Sequence, residues 1–152
     1  MQPWILRHPL AFVVADFLLI LLIWPLVSFV ISYIGGWFSL ARKFRSQAQF
    51  TGSKWGGESG MMRGLAHYRN CLVIGASPTG LYLAVFFLFR VAHPPLLIPW
   101  NEVTLSRGRK FFMNMVRFQL GREHPIPLSI RESLAGKLEA AAGNAWPIES
   151  LE

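Results

Sequence analysis

A single cysteine, Cys71, occurs in this chain. A lone thiol excludes an intrachain disulfide and a cysteine-based metal cluster. It lies in an apolar run, CLVIGA, and reads as an inert packed thiol. The four histidines, His8, His67, His93 and His124, are scattered at no ligand spacing and read as loop or surface residues. Carboxylates are also scarce, with 8 Asp and Glu against 15 Lys and Arg. Glu58, Glu102 and Glu123 fall near expected turns or strand ends and form no acid–base pair. Neither Gly-x-x-x-x-Gly-Lys nor Gly-x-Gly-x-x-Gly is present, and there is no haem attachment motif. These absences argue against an enzyme and imply no cofactor and no metal site.

What the chain has is one long apolar run. Residues 10–34, LAFVVADFLLILLIWPLVSFVISYI, carry one charge, Asp16. A bilayer core of about 30 Å needs roughly 20 apolar residues at about 1.5 Å each, so the run is long enough to cross with some tilt. It is too long for a signal-peptide core, and no small-residue cleavage site follows it. The apolar stretch at 80–89, GLYLAVFFLF, is too short to be a second span. Arg7 alone precedes the run, whereas Arg42, Lys43, Arg45, Lys54, Arg63 and Arg69 follow it. The positive-inside rule therefore expects an inner-membrane, single-pass protein with its N-terminus outside and its C-terminal part cytoplasmic. Trp4 at one end, and Tyr33 and Trp37 at the other, suit interfacial aromatic belts.

Three features interrupt the run, and among them Asp16, Trp24 and Pro25 are candidates for membrane or partner contact. Trp24-Pro25 near its middle predicts a kink, since proline removes a backbone donor. Asp16 is costly in hydrocarbon, so it is neutral, turned outward or paired with a partner's cation. Ser28 and Ser32, spaced i and i+4, offer a small packing face.

Beyond the span, residues 35–49 repeat apolar positions at Trp37, Leu40, Ala41, Phe44 and Ala48. Arg42, Lys43 and Ser46 fall on the other face. This pattern predicts a basic amphipathic helix lying in the membrane interface, with Trp37, Arg42, Lys43 and Arg45 at head-group level. TGSKWGGESG, residues 51–60, reads as a glycine-rich loop or hinge. The expected divisions are an N-terminal segment over 1–9, a transmembrane helix over 10–34, the interfacial helix and linker over 35–58, a globular unit over 59–143 and a tail over 144–152.

The globular unit reads as strands followed by one helix. Weak strand character at 61–69 precedes CLVIGA at 71–76, a Ser77-Pro78-Thr79-Gly80 turn, and a strand over 81–89 that is apolar on both faces. Strands at 96–105, 111–120 and 126–130 follow, giving six in all. Arg107, Gly108, Arg109 and Lys110 read as a basic turn, a candidate contact for lipid or an acidic partner. Ser129-Ile130-Arg131-Glu132 fits a capping box before a helix striped by Ile130, Leu134, Leu138 and Ala141. Gly143-Asn144 supplies its stop. From residue 70 onward the charges nearly balance, so the formal net charge of +7 is concentrated beside the membrane. That placement favours anionic lipid or an acidic subunit over nucleic acid.

This order resembles a bacterial pleckstrin-homology-like or GRAM-like domain. The stretches that carry the likeness are Ser77-Pro78-Thr79-Gly80-Leu81-Tyr82-Leu83, then Leu96-Leu97-Ile98-Pro99-Trp100-Asn101-Glu102-Val103, then the C-terminal helix. With the span included, GLYL and HPPLLIPW are also similar to a group of small single-span bacterial membrane proteins. The resemblance implies an α+β fold: one N-terminal transmembrane helix, then a small curved antiparallel sheet or partial barrel capped by a C-terminal helix. It further implies binding to lipids or proteins and no catalysis. The expected role is a non-catalytic accessory subunit of a larger membrane complex, respiratory or photosynthetic for example. The alternative is a membrane-tethered module binding anionic lipid or a peptide.

Overall fold

The structure is a computed structural model and describes residues 9–150. Trp4, Arg7 and His8 lie outside the described residues. Helix α1, Pro9–Gly35, is continuous through Pro25. Pro9 suits a first helical position, where the missing amide hydrogen costs no bond. The only buried side chains or glycines along α1 are Ser28, Ser32 and Gly35, which share one face. Gly36 ends the helix in a left-handed conformation, φ 86°. It turns the chain directly into α2, Trp37–Phe44. A Cβ on Gly36 would stand 2.8 Å from Ile126 Cδ1, so both its backbone angle and its packing demand glycine.

Seven antiparallel strands follow: β1 Ser53–Met62, β2 Ala66–Ser77, β3 Gly80–Val85, β4 Leu96–Pro99, β5 Val103–Lys110, β6 Met113–Leu120 and β7 Ile126–Arg131. Their order across the sheet is β4-β3-β2-β1-β7-β6-β5. Strands β4 and β5 are the two edges, yet only the three-residue turn Trp100–Glu102 joins them. A flat seven-strand sheet would separate its edges by about 29 Å, six spacings of about 4.8 Å. Three residues reach about 10 Å. The sheet therefore curls into a half-barrel, and its concave face holds the core.

Alternation along the strands fills that core. Leu72, Ile74 and Ala76 of β2 meet Val116, Phe118 and Leu120 of β6 and Ile126, Leu128 and Ile130 of β7 within one cluster. Every residue of β3 is buried. Its outer face is covered by the incoming chain, where Phe50 stacks on Tyr82 at 4.5 Å. Helix α3, Glu132–Ala142, packs Leu134, Ala135, Leu138 and Ala142 against β2, β6 and β7. Trp146 then lies against Trp100 and Phe118 at 5.4 and 5.8 Å.

Several expectations need correction. The sheet has seven strands, because the supposed hinge over 51–60 contains most of β1. Gly56 and Gly57 sit where the β1–β2 register shifts, and a bulge there hides the two-residue alternation. The globular unit thus begins near Ser53. The weak strand at 61–69 is the β1–β2 hairpin, with Arg63 and Gly64 in left-handed turn positions. The 96–105 run is two strands, broken at Trp100–Glu102. The 107–110 stretch belongs to β5, and the turn is Phe111-Phe112, at φ 49° and 64°. The capping box does not form: Ser129 stays in the β7 ladder, and Arg131 occupies the cap position without a side-chain bond.

The amphipathic stripe after α1 also has a different role. Trp37, Leu40 and Phe44 are buried in the domain core, and α2 packs on β4. The helix is shorter than expected, and its apolar face meets protein.

Candidate functional site

The segment between β3 and β4 determines how helix and domain meet. Pro94 and Pro95 cannot donate to a ladder, so the carbonyls of residues 91–94 need partners from elsewhere. α1 and α2 supply them. Ser28 Oγ donates to the Val91 carbonyl at 2.6 Å, and Ser32 Oγ to the Ala92 carbonyl at 2.6 Å. Trp37 Nε1 donates to the Pro94 carbonyl at 2.9 Å. One turn before Ser28, Trp24 Nε1 donates to the Leu88 carbonyl at 2.9 Å and its ring lies 5.2 Å from Phe89. Gly35 allows the closest approach, since a Cβ there would meet Ala66 Cβ at 2.7 Å.

His93 sits behind this seam and is 2% exposed. Burial pushes its imidazole below the ordinary value, against a weaker opposing pull from the Val91 and Phe89 carbonyls. A neutral imidazole has one donor and one acceptor. The contacts match: Nδ1 lies 3.0 Å from the Val91 carbonyl and donates to it, and Nε2 accepts the Tyr68 hydroxyl at 2.9 Å. Burial raises the Tyr68 phenol well above its usual range. Among the described residues no buried side-chain nitrogen or oxygen lacks a partner. Ser28, His93 and Tyr68 are thus all committed to holding helix and domain together.

The residues singled out in the sequence fall into three groups. Trp24 and Trp37 belong to the seam, and Trp37 is fully buried. Asp16 lies on the exposed surface of α1. Pro25 lines a groove of about 730 Å³ between α1, α2 and the 91–94 segment, together with Leu26, Phe29, Arg42, Arg45 and Val91. Lys43 turns to Glu102, 3.5 Å away. Arg107 contacts Glu132, Glu139 and Glu149 at 3.2, 3.4 and 3.4 Å, so three carboxylates already surround its guanidinium. Arg109 and Lys110 remain exposed beside the β5–β6 tip, where Phe111 is 81% and Phe112 97% exposed.

Sequence reasoning missed His93, read as a loop or surface residue. It also missed the apolar outer surface of the 86–91 segment, where Phe86, Phe87, Leu88 and Val91 are all exposed. The only available hint was FFLF continuing past the end of a strand. Among the described residues no group of three His, Cys, Asp or Glu side chains is placed to hold a metal. Comparison of the chain with protein-family models, with curated proteins and with solved structures finds no match.

Proposed function

We propose that this chain is a non-catalytic accessory subunit of a bacterial inner-membrane complex. α1 crosses the bilayer with its N-terminus outside, and the β domain docks on partner subunits at the cytoplasmic face. The observation that carries this reading is the seam of Trp24, Ser28, Ser32 and Trp37 on the 88–94 segment. A module that searches for ligands suits a flexible tether. A domain bonded to its own anchor keeps one orientation against the membrane, as a subunit with a fixed place requires. The height of the seam supports insertion as well. Counted from Pro9, about 20 residues of hydrocarbon end near Ser28. Trp24 then lies about 6 Å inside that boundary, and the apolar 86–91 segment beside it sits in lipid.

A second reading, a pleckstrin-homology-like module that binds anionic lipid, is favoured by one feature. Phe111 and Phe112 project beside Arg109 and Lys110, an apolar wedge with cations at its base. A mild-detergent pull-down of the full-length protein from its native membrane separates the two. A stoichiometric set of membrane proteins supports the subunit reading. A chain that purifies alone with lipid refutes it and transfers support to the lipid module.

A further inference from the structure

We propose that the groove between α1 and α2 holds one anionic glycerophospholipid, its phosphate on Arg42 and Arg45 and an acyl chain along Pro25, Leu26 and Phe29. This rests on the reading that α1 spans the membrane. α2 folds back along α1, with Phe38 packed on Phe29 and Tyr33 at 5.8 and 6.4 Å. Arg42 and Arg45 therefore line the same groove as Pro25, Leu26 and Phe29, beside the expected edge of the hydrocarbon and not beyond the end of the span. Both are exposed, and among the described residues neither side chain makes an ion pair or hydrogen bond. Two neighbouring cations without a counter-charge at a low-dielectric boundary call for an anion.

The rest of the groove specifies the kind of anion. Its wall is apolar and opens onto Leu26 and Phe29, 63% and 46% exposed. A free phosphate would leave that wall uncovered. A peptide would need backbone partners at this depth. The carbonyls of Val91, Ala92 and Pro94 that border the groove are already bonded to Ser28, Ser32 and Trp37. A phospholipid needs only the guanidinium pair and the apolar wall, and planar guanidiniums suit phosphate. The groove's volume falls in the range of about 300–1,000 Å³ usual for small-molecule sites.

The test is native mass spectrometry of the full-length protein in mild detergent with added phosphatidylglycerol or phosphatidylcholine. We expect one phosphatidylglycerol per chain. R42Q/R45Q should lower its retention about 30-fold, and R42K/R45K should largely restore it. K54Q/K137Q removes the same charge from exposed positions on β1 and α3 and should change nothing. Equal retention in R42Q/R45Q, equal binding of phosphatidylcholine, or displacement by inorganic phosphate would each overturn the proposal. So would a photo-crosslinker at Leu26 that captures protein in native membranes and no lipid. A carbonate wash separates the premises. If the wild-type chain leaves the membrane, the span fails and the lipid site with it; if it stays and holds no phosphatidylglycerol, the lipid site alone fails.

Discussion

Replacing Ser28 and Ser32 with alanine tests whether the helix and the domain form one rigid body. Ser32 is fully buried, and its hydroxyl is the bond donor to the Ala92 carbonyl. Its loss strands a buried acceptor, at a cost of about 1–3 kcal/mol. Ser28 matters less, because the Val91 carbonyl keeps His93 Nδ1 as a second donor at 3.0 Å. That loss should cost about 0.5–1.5 kcal/mol. Together the two changes should weaken the seam by roughly 1.5–4.5 kcal/mol, or about 10- to 2,000-fold in the equilibrium for local opening. Hydrogen exchange of the 86–96 peptide in detergent reads this directly. Its protected amides include those of Phe89, Arg90 and His93. S28A/S32A should speed their exchange by that factor and leave the β2–β3 amides unchanged. Ser39→Ala, on the exposed side of α2, is the control and should have no effect. If exchange over 86–96 changes less than about threefold, the hydroxyl bonds do not hold the seam, and the fixed-orientation argument for a subunit loses its basis.

The same seam should respond to acid. His93 binds its proton less readily when folded than when unfolded, so stability is fully present above the unfolded value near 6.5 and falls as pH drops through it. Exchange over 86–96 should accelerate, after correction for intrinsic chemistry, between neutral pH and about pH 5, and His93→Gln should flatten that dependence. Gly36→Ala forces a side chain into a left-handed position and against Ile126, and should destabilise the α1–α2 junction by more than about 1 kcal/mol in a denaturant titration. Arg107→Gln should cost less than about 1 kcal/mol, since its three partners are exposed, and any effect should vanish in high salt. Phe111→Asn with Phe112→Gly relieves two left-handed phenylalanines and should raise the melting temperature. If the tip contacts partners or membrane, the same variant should weaken their recovery in the pull-down.

Legibility in the sequence followed how local each signal was. The long apolar helix α1 was plain because an apolar run of its length needs no tertiary context. Strands β3, β6 and β7 were readable from apolar content or alternation, and α3 from its stripe and its glycine stop. β1 was hidden because Gly56 and Gly57 erase the alternation at its bulge. The β5–β6 turn was hidden because its left-handed positions hold phenylalanine, where asparagine or glycine would have announced them. The stripe of α2 was read correctly as apolar and assigned to the wrong partner. A periodicity reports that a face is buried, and both a head-group boundary and a curved sheet satisfy it. Ser28 and Ser32 show the converse. Their i, i+4 spacing signalled a packing face, but its partner lay about 60 residues away in a loop whose two prolines left carbonyls without donors. That need is visible only once both segments are seen together. The seam follows from complementary defects: a loop rich in unpaired acceptors, and a long helix carrying a few donors along one side of an otherwise apolar surface.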